Sequence, residues 1–227
     1  MEDQFSRTSK LIGSEAIKKL AAAKVAVFGV GGVGGSCAEA LARAGAGAID
    51  LYDNDIVCLS NLNRQIVALH STLGMYKADV MAERIKDVNP GCEARSFKIF
   101  YMPETAEEVD LSQYDYVVDA IDTVAGKIEL IARAKSAGVR IICAMGAANK
   151  MDPAAFIVTD IHKTDTDPLA KAMRKELRKL GVTDVKAVWS KEEPIARHRP
   201  PASNSFVPPA CGLLLASEVI KDLTGEF

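Results

Sequence analysis

Lys24-Val25-Ala26-Val27-Phe28-Gly29-Val30-Gly31-Gly32-Val33-Gly34 decides the fold. A strand-length run from Lys24 to Phe28 enters a turn built on Gly29, Gly31, Gly32 and Gly34, and a helical run from Gly35 to Ala44 leaves it. Glycine admits backbone conformations closed to other residues and lets the chain approach an anion. The helix that follows offers unpaired amides and the positive end of its dipole. By itself such a turn names no particular nucleotide. Its flanking strand and helix make it a nucleotide-binding element rather than a plain connection.

Outward from that turn, strand-like and helical runs alternate. Strands are expected near Val25, Ile49, Arg95, Tyr116 and Ile141, with helices near Ala40, Ala82 and Ile131 between them. Runs such as Tyr116-Val117-Val118 and Arg140-Ile141-Ile142-Cys143 lack clean polar alternation, as parallel strands covered on both faces do. The fold class is therefore α/β, a doubly wound, Rossmann-like, mostly parallel sheet. Ser14 to Ala22 reads as a helix with Ser14 as its cap, since Ile17, Leu20 and Ala21 share a face. After Ala154 the spacing predicts a strand to Thr159, a helix from Pro168 to Leu180, a strand near Val188 and a last helix to about Leu223. This late part has too few apolar runs for its own core. The chain is read as one domain, with a nucleotide-binding core over about 5–150 and a C-terminal, substrate-facing extension over about 151–227.

Composition sets the outer limits. A chain of 227 residues can bury a sizeable core, and its net charge of -2 excludes binding to nucleic acid by bulk charge, leaving only a local basic patch. Five cysteines without a CxxC pair suit reduced thiols and a cytoplasmic setting. The polar N-terminus carries no secretory pattern, and the late apolar run from Phe206 to Val219 is too short and too interrupted to span a bilayer.

The second strand ends in Asp53-Asn54-Asp55, where an acid about 20 residues beyond the glycines can accept hydrogen bonds from ribose hydroxyls. To this point NAD and ATP fit equally. Ser60-Asn61-Leu62-Asn63-Arg64-Gln65 and then Lys77 separate them, because two cations after the ribose acid serve a triphosphate better than a dinucleotide. Asp119 and Asp122 follow a parallel strand's carboxyl end, where open α/β sheets place ligands, and a carboxylate is a hard oxygen donor suited to magnesium.

These motifs together resemble the adenylating family related to ubiquitin-activating enzymes, which includes the bacterial ThiF and MoeB proteins. The likeness runs from about Phe5 to Gly146 and rests on the glycine turn, Asp53-x-Asp55, Asn61 to Gln65, Gly74 to Lys77 and Asp119 to Asp122, in that order. It implies ATP and Mg2+ as cofactors, and attack of a carboxylate on the α-phosphate to give an acyl-adenylate and pyrophosphate. The implied nucleotide-binding set is Gly29, Gly31, Gly32, Gly34, Asp53, Asp55, Asn61, Asn63, Arg64, Gln65, Lys77 and Asp122, with Arg64, Lys77 and Asp122 catalytic and Asp122 on the metal. Arg7 matches an arginine that reaches the neighbouring subunit's ATP, which implies a homodimer.

Family members that activate a sulfur-carrier protein's Gly-Gly end usually carry two CxxC pairs, and this chain has none. The stretch from Val158 to Leu169, with Asp184 to Ser190 and Phe206-Val207-Pro208, resembles a narrower branch, the tRNA threonylcarbamoyladenosine dehydratases. That branch implies tRNA carrying threonylcarbamoyladenosine as partner, and a sulfur-transfer protein as a further one. A basic face fits such a substrate: Leu169, Met173, Leu177 and Leu180 share one side of a helix, leaving Lys171, Arg174, Lys175 and Arg178 toward solvent, with Arg197, His198 and Arg199 in a nearby loop. Cys211, between apolar neighbours, is expected to be a structural thiol, and His70, His162 and His198 are expected to be loop or surface groups.

Overall fold

The computed structural model describes residues 3–195, 198 and 201–225. Seven strands form one sheet: β1 (Lys24–Phe28), β2 (Ala48–Tyr52), β3 (Glu93–Phe97), β4 (Tyr116–Asp119), β5 (Arg140–Ala144), β6 (Phe156–Asp160) and β7 (Lys186–Ser190). Their order is β3-β2-β1-β4-β5-β7-β6. Every pairing is parallel except that of β6 with β7, so the late strands extend the same sheet and end it with an antiparallel edge.

Alternation within each strand explains the two-sided burial. Val25 and Val27 enter one apolar core while Ala26 and Phe28 enter the other, and Ile142 and Cys143 divide in the same way. One core lies under α3 (Gly32–Ala44), α4 (Lys77–Val88) and α7 (Val207–Thr224); the other lies under α5 (Val124–Ser136) and α6 (Pro168–Lys179). A polar thread runs across this scaffold: the carboxylate of buried Asp50 accepts from Arg95 at 2.8 and 2.7 Å and from the Tyr114 hydroxyl at 2.6 Å. Among the described residues no helix is long and apolar enough to cross a membrane.

Four local expectations change. An additional helix, α1 (Ser6–Ile12), precedes α2 (Ser14–Ala22); it buries no residue, so it has no apolar stripe to announce it. Gly13, not Ser14, occupies the cap position of α2, and no side chain bonds there. α3 begins at Gly32, three residues before the expected start, because the glycine turn itself supplies its first turn. On α6, Met173 and Leu177 are buried, but Leu180 is 56% exposed because the helix has already ended and the chain turns at Gly181.

α7 is held against α3 at a point with no room for a side chain. A Cβ on Gly212 would lie 2.2 Å from the Val33 carbonyl oxygen. Gly212→Ala is therefore expected to lower unfolding free energy by about 1–3 kcal/mol through overpacking, measurable by urea denaturation.

Candidate functional site

The chain leaves β1 at Gly29 with φ +85°, between the ends of β2 and β4. A Cβ there would meet the Ala120 carbonyl oxygen at 2.6 Å, so the position needs glycine for conformation and for space. Gly34 is tighter: its added Cβ would fall 1.8 Å from the Gly29 oxygen, which shows how closely α3 seats on the strand end. Gly31 differs, since an added Cβ meets only the Gln65 amide nitrogen at 3.7 Å. Packing does not demand glycine at Gly31; its missing side chain leaves open space in the cleft floor. No side chain caps α3, so its first amides stay available for an anion.

At the end of β2, Asp53 accepts from the Val30 amide at 2.6 Å and from the Asp55 amide at 2.8 Å. Burial raises its carboxyl above the ordinary value, against the lowering effect of these amides and of Lys77. Lys77 opens α4 with its side chain only 7% exposed and holds Asp55 at 2.6 Å. Asn61 shapes the next segment: its side-chain oxygen accepts from the Cys58 amide at 3.0 Å, and its carbonyl accepts from the amides of Arg64 and Gln65. Arg64 is thereby brought to the cleft, its guanidinium on the Ser60 carbonyl at 3.1 Å and on Asn63 at 2.9 Å. The Gln65 side-chain oxygen is buried without a partner beside the glycine turn. It is an unsatisfied polar atom, as is the buried Tyr101 hydroxyl on the cleft wall.

These elements bound one cleft of about 660 Å³ along the carboxyl edge of the sheet, at the point where strand order reverses. Gly29, Gly31, Gly32, Asp53, Asp55, Asn61, Arg64, Gln65, Lys77 and Asp122 all line it. Tyr52, Ile99, Phe100 and Tyr101 form an apolar wall beside Asp53, while Ala147, Ala148, Pro201 and Ser203 close the opposite end. The apolar wall and the 201–203 roof were not expected from the sequence.

Three expected nucleotide-site residues do not line this cleft. Gly34 lies behind it as the packing contact described above. Asn63 turns outward and donates to the Ser203 carbonyl at 3.1 Å, tying the Arg64 segment to the roof. Arg7 is exposed on α1, away from the cleft lining. Cys211 is fully buried, which pushes its thiol up to about 12, in keeping with a structural role. His162 bonds the Val182 carbonyl at 3.0 Å, and His70 is exposed. Lys171, Lys175 and Arg178 are exposed on α6, but Arg174 turns inward to the Thr164 hydroxyl; Arg197 and Arg199 lie outside the described residues.

Sequence reasoning missed a buried cation beneath the Asp122 loop. Lys127 pairs with Asp119 at 2.9 Å, both side chains fully buried, and also donates to the Ile121 carbonyl at 3.1 Å. The signal was present, since Lys127, Leu130, Ile131 and Ala134 follow one helical face and all are buried. The pair fixes the backbone that carries Ala120, Ile121 and Asp122 into the cleft.

The ThiF family model matches residues 5–226. The chain belongs to the ThiF family. Within the ThiF family it is 45% identical to the tRNA threonylcarbamoyladenosine dehydratase of Bacillus subtilis, over 100% of this chain and 97% of that protein. It is 43% identical to the Escherichia coli protein of the same name, over 77% of this chain and 65% of that one. The crystal structure of the E. coli tRNA N6-threonylcarbamoyladenosine dehydratase in complex with AMP superposes with TM-score 0.92 at 38% identity, covering 97% of this chain and 93% of that one. The same enzyme in complex with ATP gives TM-score 0.90.

Removing the Lys127 ammonium leaves a buried, uncompensated carboxylate. Lys127→Met is expected to cost about 3–5 kcal/mol of stability, read from urea denaturation.

Proposed function

We propose that this protein is an ATP-dependent tRNA threonylcarbamoyladenosine dehydratase. It joins the threonyl carboxylate of the modified adenosine beside the anticodon to the α-phosphate of ATP, releasing pyrophosphate. A nucleophile of the same modified nucleoside then attacks the activated carboxyl and expels AMP, closing a ring. One carboxylate oxygen leaves with AMP, so the nucleoside loses one water overall. The observation that carries this reading is the meeting, in one cleft, of an uncapped helix start, a ribose-side acid, two cations and an exposed carboxylate. Similarity to dehydratases along the whole chain supports it.

In this reading Asp53 accepts from the ribose, and Tyr52, Ile99 and Tyr101 offer an apolar surface for the base. The open floor at Gly31 and the amides of α3 take the phosphates. Arg64 and Lys77 stabilise the charge that builds on departing pyrophosphate. Asp122, an exposed carboxylate in the cleft, would hold a Mg2+ ion. Held there, the ion would supply charge neutralisation. Because ring closure is intramolecular, proximity does work that a covalent enzyme intermediate would otherwise do.

The finer partners belong to the same proposal. The exposed apolar residues Ile56, Leu59, Leu69, Leu73, Met75 and Tyr76 border the segment leading to Lys77, and a second copy covering them makes a homodimer in which Arg7 reaches the neighbour's nucleotide. Lys171, Lys175 and Arg178 meet tRNA phosphates. The extension over 151–227 faces the substrate as part of a single domain, and a sulfur-transfer protein docks as a further partner in the cytoplasm.

Incubation of the protein with ATP, Mg2+ and tRNA carrying threonylcarbamoyladenosine is expected to yield a nucleoside lighter by one water, detected by mass analysis. An unchanged nucleoside mass overturns the reading. Asp122→Asn is expected to lower turnover about a hundredfold at saturating Mg2+, with Arg64→Glu comparably impaired. Gly31→Ala provides a different separation: ATP affinity falls about tenfold or more, while unfolding free energy moves by less than about 0.5 kcal/mol.

A further inference from the structure

Lys150 is buried, as Lys77 and Lys127 are, but it does not line the cleft. Its side chain and that of Asp167 are each 1% exposed. The ammonium has three hydrogens and three oxygen neighbours: the Gly146 carbonyl at 2.9 Å, the Asp167 carboxylate at 3.4 Å and the Ser190 carbonyl at 3.4 Å. Those oxygens come from the segment after β5, the cap of α6 and the end of β7. Asp167 is itself held, its other oxygen accepting from the Ala170 amide at 2.9 Å. The Lys150 carbonyl accepts from the Asn204 side chain at 2.8 Å, and Asn204 in turn accepts from the amides of Phe206 and Val207 at the start of α7. Asn149, held at φ +60°, completes the clamp by exchanging hydrogen bonds with Ala202 at 2.7 and 2.9 Å.

The strand order tells which end of the cleft this clamp controls. Asp53 follows β2 and the glycine turn follows β1, so the nucleotide proposed above occupies the β2 and β1 side. Ala147 and Ala148 follow β5, and the roof of Pro201 and Ser203 joins that side through Ala202 on Asn149, while Ser203 reaches across to Asn63. The Lys150 ammonium anchors the first pair, and its carbonyl, through Asn204, anchors the second. We propose that Lys150 is a positioning residue for the acceptor carboxylate: its ammonium fixes the wall, and its carbonyl the roof, of the end of the cleft where the modified nucleoside enters. This inference rests on the dehydratase reading. A small displacement of such a wall leaves nucleotide contacts intact and spoils the alignment of the attacking carboxylate.

Lys150→Met and Asn204→Ala are each assayed with modified tRNA, and ATP binding is measured separately by calorimetry. Each is expected to lower kcat/KM for modified tRNA, by about tenfold to a hundredfold, while the ATP Kd stays at the parent value. The double variant is expected to lose no more than the worse single one, because both act through one clamp. Methylammonium is expected to restore part of the activity of Lys150→Ala and none of that of Asn204→Ala. Parent-like kcat/KM in both single variants, an equal loss of ATP affinity, or multiplicative losses in the double variant overturns the proposal. Should Lys150→Met fail to melt cooperatively, Asn204→Ala decides alone by the same split. A parent protein that binds ATP yet leaves the nucleoside mass unchanged overturns the dehydratase reading and this inference with it; an active parent with parent-like variants overturns only the role of Lys150.

Discussion

The rest of the structure depends on the close approach of α3 to the end of β1. A carbon atom added at Gly34 would overlap the Gly29 carbonyl oxygen, and one at Gly29 would overlap that of Ala120. With side chains excluded there, the helix axis points its first amides over the sheet edge at the reversal of strand order, where a crevice must form because neighbouring connections depart to opposite faces. Every other component of the cleft is placed relative to that contact. Asp53 is tied to it by the Val30 amide, and the Ala120 amide continues the ladder from Phe28.

Buried charge organises what packing alone leaves loose. Asp50, Asp119 and Asp167 are nearly or fully excluded from water, and each meets a cationic partner. Such pairs contribute little net stability once desolvation is counted, but a segment that supplies one partner cannot move without stranding the other. The Asp119 and Asp167 pairs sit beneath irregular segments bordering the cleft, not beneath regular strands. Ordered loops there are thus obtained with little apolar surface.

The sequence made the sheet and most helices legible because each has an apolar period or a run covered on both faces, and the glycine turn marked the entry to α3, although that helix opens at Gly32 rather than Gly35. Of the residues that line the cleft, the glycine turn, Asp53 and Asp122 were legible because each lies just after a strand, whereas Asn61 to Gln65 and Lys77 lie in the long connection between β2 and β3 and were picked out by their motif. What could not be read was charge facing inward. A lysine is ordinarily a solvent residue, and Lys150 in a connecting segment gave no periodic cue to the contrary. Lys127 did lie on an apolar helical face, but its type outweighed its position. α1 escaped because it buries nothing, and the 201–203 roof because it is held by two asparagine side chains rather than by any repeating pattern.

The ion pair between Lys77 and Asp55 has a consequence for traffic through the cleft. The ammonium is shielded from water and already carries a carboxylate, which is itself largely solvated. An anion that meets Lys77 shares the ammonium with Asp55 or displaces it, so the net gain is smaller than a bare cation would give. Asp55 stays tethered within reach by the bond from the Lys77 amide to its carbonyl. It therefore stays beside the ammonium as a standing competitor for whatever else would pair with it.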